Sequence, residues 1–178
     1  DKYYDRLSDK VQSVIYDDQE IGIGTNETYS AHNLLSTSIL DEINLAYPGK
    51  AKTYAVAIDP EKAIMLGGHT ANSVAWIDDV NMKWATTGYY QEGLNKSADR
   101  MNIDGSFKTL NSRTWKPLYA IKTYRANLKG NLNSFDYKPT ERKSKNSAAT
   151  ILRTTPSANS LVAELGMKII SEEQLGTD

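Results

Sequence analysis

The sequence has no cysteine and only two histidines among its 178 residues. The lack of cysteine excludes a disulfide framework and any metal site built from thiolates. No apolar run approaches the roughly 20 residues that a membrane-spanning helix needs. Neither sign of charge dominates, because 21 basic residues face 22 acidic ones and the net charge is −1. We therefore expect neither a nucleic-acid partner nor a membrane span.

The two histidines, His32 and His69, are too few for a metal centre of their own. A zinc hydrolase typically uses about three protein ligands per ion, mostly His and Asp. The close pairs that supply them, Asp-x-x-x-His or His-x-x-x-His, do not occur in the sequence. A Gly-x-Ser-x-Gly elbow, which marks many serine hydrolases, is also missing. We expect no metal ligands and no catalytic nucleophile on this chain.

The residues that are present have the composition of a globular protein. Apolar residues make up 39% and charged residues 24% of the chain, which suits one domain or part of a larger one. The chain begins at Asp1 without a methionine, so we expect a removed leader or an internal piece of a longer protein. Eleven Tyr and three Trp outnumber two Phe, and such amphipathic rings suit cleft walls.

The first half of the chain predicts a helix followed by a buried strand. Ser30 has the character of an N-cap, and Leu35, Ile39 and Ile43 recur at helical spacing. Residues 53–58 are apolar on both faces, which is typical of a strand inside a parallel sheet. A helix followed by a buried strand is half of a βαβ unit and indicates an α/β fold.

The second half predicts a hairpin, an irregular insertion and a last helix. Residues 73–77 and 83–87 bracket Asp and Asn residues typical of a turn. A helix is predicted over residues 96–101. Periodicity fades over residues 102–150, where a long loop is typical of a lid or cap. A last helix begins near Pro156 and carries an apolar stripe, formed by Leu161, Leu165 and Ile169.

Asp59 and Glu61 are the first candidates for a functional site, because they follow the buried strand. Strand exits are favoured positions for functional groups. A purely structural interpretation is also open, with Asp59 as a helix N-cap, Pro60 at the first helical position and Glu61 favourable to the helix dipole.

His69 follows two glycines, Gly67 and Gly68, that let the backbone place an imidazole in a tight position. It either pins a loop by hydrogen bonds or forms a wall of a substrate site. For His32, we expect an ordinary surface or packing role in the first turn of the predicted helix.

Several blocks of sequence, in order, carry a family resemblance. They are residues 29–42, residues 67–72 (Gly-Gly-His-Thr-Ala-Asn), Trp76 with Asp78 and residues 86–90 (Thr-Thr-Gly-Tyr-Tyr), and residues 155–161 (Thr-Pro-Ser-Ala-Asn-Ser-Leu) with residues 173–176. These blocks resemble the bacterial alkaline phosphatases and type I phosphodiesterase/nucleotide pyrophosphatases of the alkaline phosphatase superfamily. Together they extend over most of the chain.

The resemblance implies a phosphate-ester hydrolase that acts on small molecules, uses two zinc ions and is periplasmic or secreted. The family's threonine nucleophile and its metal ligands lie outside the matched blocks. By resemblance, residues 1–178 are an internal fragment that is inactive alone and binds no zinc alone. Residues 31–101 would form a partial core, residues 102–150 a cap-like insertion, and residues 151–178 a core helix.

The chain departs from the family at Asp59 and Glu61, where the phosphomonoesterases carry a Lys-x-Arg pair. Two carboxylates would repel a phosphate dianion, and each contact between unit negative charges costs about 4 kcal/mol at ~4 Å and an effective dielectric near 20. The resemblance thus favours a phosphodiesterase, or an esterase whose substrate has a cationic head such as choline. Asp59 and Glu61 would set the headgroup charge, while His69 and Asn72 would shape the loop facing the site.

Two other interpretations stay open. The chain could be a non-enzymatic binding module that recognises a protein or a glycan through its aromatic-rich surface. It could also be a structural domain without a site, which a buried, packed loop at residues 67–72 would favour.

Overall fold

The computed structural model describes residues 2–124 and 152–177, except for the side chain of residue 111. The strands are β1 (Lys2–Asp5), β2 (Lys10–Ser13), β3 (Gly22–Ile23), β4 (Tyr54–Val56), β5 (Ser73–Ile77) and β6 (Trp84–Thr87). The helices are α1 (Ile39–Ala46), α2 (Pro60–Gly67), α3 (Lys96–Ile103), α4 (Ser106–Asn111) and α5 (Pro156–Glu172), with a 3-10 turn at Ile121–Thr123. Among these elements, no helix has the length and apolar character required to cross a membrane.

The main sheet has four strands in the order β3-β6-β5-β4. β4 pairs with β5 in parallel, and β5 pairs with β6 as an antiparallel hairpin. The parallel pairing extends past β4, because Ala57 N donates to Ala75 O at 3.1 Å. The mixed α/β fold predicted from the sequence is confirmed, and β1 and β2 form a separate antiparallel hairpin.

Both faces of the sheet are covered, as the alternation along β5 shows. Val74 and Trp76 belong to one buried cluster, which includes residues of α2. Ala75 and Ile77 belong to the other, which includes residues of α3, α4 and α5. Successive side chains of a strand point to opposite faces, so the fully buried strand β5 lies between two layers of helices.

Helix α1 begins at Ile39, eight residues later than the start that an N-cap at Ser30 predicted. Ser38 is the true N-cap, and with Asp41 it forms a capping box in which each side chain bonds the other's backbone N–H. Ser30 Oγ instead donates to Asp17 at 2.6 Å. The predicted apolar stripe does not face the core, since Leu35 and Ile39 are exposed. His32 consequently lies in a loop and not in a helix.

The later helices agree more closely with the sequence pattern. Leu161, Leu165 and Ile169 of α5 are buried in the core, as their spacing predicted. Helix α4 was not predicted, because one short stripe formed by Phe107 and Leu110 carries too little periodic signal. Of the predicted cap, residues 125–150 lie outside the described residues, and its role stays a prediction.

Candidate functional site

Two parallel strands end at the same edge of the sheet, and acidic residues follow both of them. β4 leads to Asp59, and β5 leads to Asp78 and Asp79. Ligands of α/β sheets bind outside the carboxyl ends of parallel strands. At this edge, Asp59 and Asp79 both contact one guanidinium, that of Arg153.

Asp59 is the N-cap residue of α2 and Pro60 takes the first helical position. Its side chain makes no capping hydrogen bond. The carboxylate pairs instead with Lys62 Nζ at 2.7 Å and with the guanidinium of Arg153. The backbone of Asp59 therefore begins the helix, while its carboxylate contacts two cations at the sheet edge.

No sequence motif singles out Arg153, which lies shortly before α5. Its side chain is only 17% exposed, and its two terminal nitrogens contact Asp59 and Asp79. Burial lowers the pKa of Arg153 from its ordinary value, although arginine stays charged in proteins. The one sequence signal was indirect, since carboxylates at a buried strand exit need a cationic partner.

A cavity of about 390 Å³ opens beside these residues, and we call it the edge cavity. Its lining includes Tyr29, Asp59, Glu61, Asp79 and Arg153. Glu61 Oε1 accepts a hydrogen bond from Ser13 Oγ at 3.1 Å, which ties α2 to the end of β2. The structure thus brings both predicted carboxylates, Asp59 and Glu61, to one concave surface.

On the side of the edge cavity formed by Tyr29 and Asp79, carboxylates dominate the electrostatic environment. Burial and the carboxylates of Glu27, Glu61 and Asp79 raise the pKa of Tyr29, which donates to Glu27 at 3.1 Å. Burial, followed by Asp78 and Glu27, raises the pKa of Asp79. Carboxylates thus outweigh cations next to these two side chains, although Lys2 and Lys62 also line the cavity.

His69 lies at the other end of α2, in a loop fixed by Asp41. The Asp41 carboxylate accepts backbone N–H bonds from Ser38, His69 and Thr70, each at 2.8 Å. It also accepts from Thr70 Oγ1 at 2.8 Å. His69 Nε2 lies 3.1 Å from the carbonyl oxygen of Leu34. The backbone nitrogen and Nε2 of His69 therefore both make contacts that hold the loop in place.

Asn72 has contacts of the same kind. Its Oδ1 accepts from Thr53 N at 2.7 Å and from Thr53 Oγ1 at 3.1 Å. These bonds join the loop to the start of β4. Gly68 is also fixed, because its carbonyl accepts from Tyr90 OH at 2.8 Å.

The four predicted site residues therefore form two groups rather than one. Asp59 and Glu61 lie at the start of α2, and His69 and Asn72 follow its end. The eight residues of α2 span about 12 Å, so the two groups lie at opposite ends of the helix. Gly67, Gly68 and Ala71 are buried, so much of the loop at residues 67–72 is packed. A substrate role for His69 and Asn72 stays a prediction.

One group of possible metal ligands exists among the described residues, formed by Asp17, Glu20 and His32, with ligand atoms within 4.8 Å of one another. Asp17 already accepts hydrogen bonds from Ser30 Oγ and Gln19 N, and its Oδ2 lies 2.5 Å from His32 Nδ1. The Asp17 oxygens thus brace the loop. Within the described ranges, these donors do not fit the zinc pair that the resemblance implies.

Exposed aromatic side chains, which a binding module would need, occur on the β1–β2 hairpin and also at Tyr47 and Tyr119. Tyr3 and Tyr4 are 42% and 56% exposed. Tyr3 also lines a second cavity, of about 530 Å³, together with Tyr16 and Asp17. Recognition of a protein or glycan by these side chains stays a prediction.

Comparison with curated proteins finds relatives across most of the chain. The chain is 28% identical to a calcium-transporting ATPase of Myroides odoratus and 28% identical to the alkaline phosphatase PhoV of Synechococcus elongatus, with 88% of the chain covered in each case. It is 26% identical to the alkaline phosphatase PafA of Elizabethkingia meningoseptica over 90% of its length. The chain spans 30%, 30% and 32% of these relatives. No model of a known protein family matches it.

Solved structures give the same comparison in three dimensions. The crystal structure of wild-type PafA superposes with a TM-score of 0.82 at 25% identity, and covers 99% of this chain and 37% of PafA. A PafA variant with four substitutions superposes with a TM-score of 0.85 at 25% identity. The described arrangement of helices and strands is therefore one that an alkaline phosphatase contains.

Proposed function

This chain belongs to the alkaline phosphatase superfamily, and from that premise we propose that it forms the substrate-side part of a metal-dependent phosphate-ester hydrolase. In this proposal, the nucleophile and the metal ligands come from other segments of a longer polypeptide. The chain contributes the sheet edge and the edge cavity. By the same resemblance, we expect this polypeptide in the periplasm or outside the cell, which cell fractionation would test.

The proposal that other segments supply the metal ligands is supported by the surroundings of the two histidines. Each of its two histidines has a carboxylate neighbour and lies in a braced loop, His32 beside Asp17 and His69 beside Asp41. The chain also spans about a third of the relatives named above. A phosphate-ester hydrolase built on this core would thus need ligands from elsewhere.

Within that class, we propose a preference for phosphodiesters over phosphomonoesters. The observation that carries this preference is the presence of Asp59, Glu61 and Asp79 around a cavity at the carboxyl ends of β4 and β5. A phosphodiester carries one negative charge, whereas a phosphomonoester carries two at alkaline pH. Carboxylates within a few ångströms repel a dianion about twice as strongly as a monoanion.

The test exchanges the charges at this edge. Asp59→Lys with Glu61→Arg, introduced into the full-length polypeptide that this proposal requires, should raise kcat/KM for a nitrophenyl phosphate relative to a bis(nitrophenyl) phosphate by about tenfold. Glu42→Lys is the matched control, because Glu42 is an exposed carboxylate of α1, and it should leave the ratio unchanged. A wild-type enzyme that prefers the monoester, or an unchanged ratio in the double variant, would contradict the preference.

A further inference from the structure

Arg153 is the least exposed cation among the described residues that line the edge cavity. Its side chain is 17% exposed, whereas that of Lys62 is 73% exposed. A buried guanidinium is costly unless its N–H groups meet acceptors. Natural proteins accept that cost where planar recognition of an anion is needed.

The guanidinium of Arg153 contacts Asp59 and Asp79 through different terminal nitrogens. Nη2 contacts one oxygen of Asp59, and Nη1 contacts one oxygen of Asp79. A guanidinium presents a rigid fork with more N–H donors than these two single-oxygen contacts employ. Arg153 also lines the edge cavity. Remaining donors at a cavity wall are suited to the oxygens of an anionic ligand.

The surrounding charge limits which anion fits. Asp59 and Asp79 contact the guanidinium directly and Glu61 lies in the same cavity, whereas the two lysines of the lining, Lys2 and Lys62, are exposed and screened by solvent. The neighbouring carboxylates repel a doubly charged ligand about twice as strongly as a singly charged one. A singly charged ligand still gains the contact with the guanidinium. The cavity thus combines one anion donor with a penalty on the second charge.

We propose that Arg153 is a specificity-determining residue that contacts a non-bridging oxygen of a singly charged phosphodiester in the edge cavity. This inference rests on the proposed function and names the group that recognises its substrate. Asp59 and Asp79 hold the guanidinium in position and set the limit on ligand charge. Arg153, from the segment before α5, thereby joins α2 and the β5–β6 turn in one site.

Binding to the purified chain tests this inference without any turnover. NMR titration with dimethyl phosphate and with methyl phosphate, at an alkaline pH where the second is a dianion, compares one charge with two on similar ligands. We expect dimethyl phosphate to bind about tenfold more tightly and to shift signals of Tyr29 and Asp79. Arg153→Lys keeps the charge but loses the planar fork of donors, and it should raise the Kd for dimethyl phosphate at least about fivefold.

Two further variants separate ligand binding from folding. Arg100→Lys is the matched control, because Arg100 pairs with Glu172 at 2.8 Å outside the edge cavity, and it should leave binding unchanged. Asp59→Asn keeps the side-chain shape but removes a negative charge. It should strengthen binding of methyl phosphate more than binding of dimethyl phosphate, so the difference in Kd between the two ligands should become smaller. A purely structural Arg153 would change thermal stability in Arg153→Lys without changing this preference.

The inference is overturned if methyl phosphate binds as tightly as dimethyl phosphate, or if Arg153→Lys binds like the wild type. Tighter binding of choline than of dimethyl phosphate to the same cavity would also overturn it, since the cavity would then be a cation site. None of these results depends on hydrolysis. Failure here would leave the hydrolase proposal standing, and loss of hydrolase activity in the full-length polypeptide would not by itself affect this inference.

Discussion

At the scale of single residues, Asp41 does more for the fold than any predicted site residue. Its buried carboxylate caps α1 through Ser38 and holds the backbone of His69 and Thr70. Burial would raise the pKa of Asp41, but the hydrogen bonds from Ser38, Thr70 and His69 outweigh it and lower the pKa to about 2. The ionised carboxylate is therefore the form that stabilises the native state.

This shift predicts an acid-sensitive stability. Because the native pKa lies below the ordinary value of 3.8, the contribution is complete above about pH 4 and is lost as the pH falls towards 2. The difference corresponds to about 2 kcal/mol in the free energy of unfolding. Asp41→Asn should cost about 2–4 kcal/mol at neutral pH, because buried N–H donors lose a charged acceptor. Urea unfolding at several pH values measures both effects.

The matched control is Glu42→Gln, which alters an exposed carboxylate in the same helical turn. It should change the free energy of unfolding by less than about 0.5 kcal/mol. An Asp41→Asn variant as stable as this control, with the same dependence on pH, would show that Asp41 does not organise the loop.

At the scale of elements, the sequence predicted the strands and helices whose positions depend on burial of apolar residues. It did not predict the start of α1, which depends on individual hydrogen bonds. Strand β4, the β5–β6 hairpin and α5 follow from runs and stripes of apolar residues, which report burial directly. The start of α1 depends on a choice between Ser30 and Ser38, and both are good caps. The reciprocal bond to Asp41 settles it in favour of Ser38, and the apolar stripe at Leu35 gave the wrong indication.

Helix α5 offers a prediction at this scale. Leu165 is fully buried between the helix and the sheet, whereas Met167 of the same helix is 64% exposed. Leu165→Ala should lower the free energy of unfolding by about 2–5 kcal/mol, because it leaves a cavity in the core. Met167→Ala should cost less than about 0.5 kcal/mol. Equal losses in thermal or urea unfolding would mean that α5 does not pack as described.

At the scale of the whole molecule, half of the candidate site was accessible from the sequence. Asp59 and Glu61 were found because they end a recognisable buried strand, and strand ends collect functional groups. Arg153 and Asp79 were not found, because only the sheet and the packing of α5 bring them to Asp59. Long-range pairs of this kind have no signature in local spacing. The separation of His69 from Asp59 likewise follows from the length of α2.

The same scale explains why the chain is proposed to work with other segments. The sheet edge, the buried arginine and the carboxylates are present together, while both histidines lie in braced loops. Recognition and bond cleavage would then be supplied by different parts of one polypeptide. The proposal can be tested without knowing the natural substrate.

The most direct measurement is zinc content together with hydrolysis of bis(nitrophenyl) phosphate and nitrophenyl phosphate by the purified 178-residue chain. Zinc would be added in excess and then removed by gel filtration. We expect less than stoichiometric zinc after filtration and no hydrolysis of either ester above the buffer rate. Stoichiometric zinc, with turnover that a chelator abolishes, would contradict the assignment of this chain to the substrate side alone.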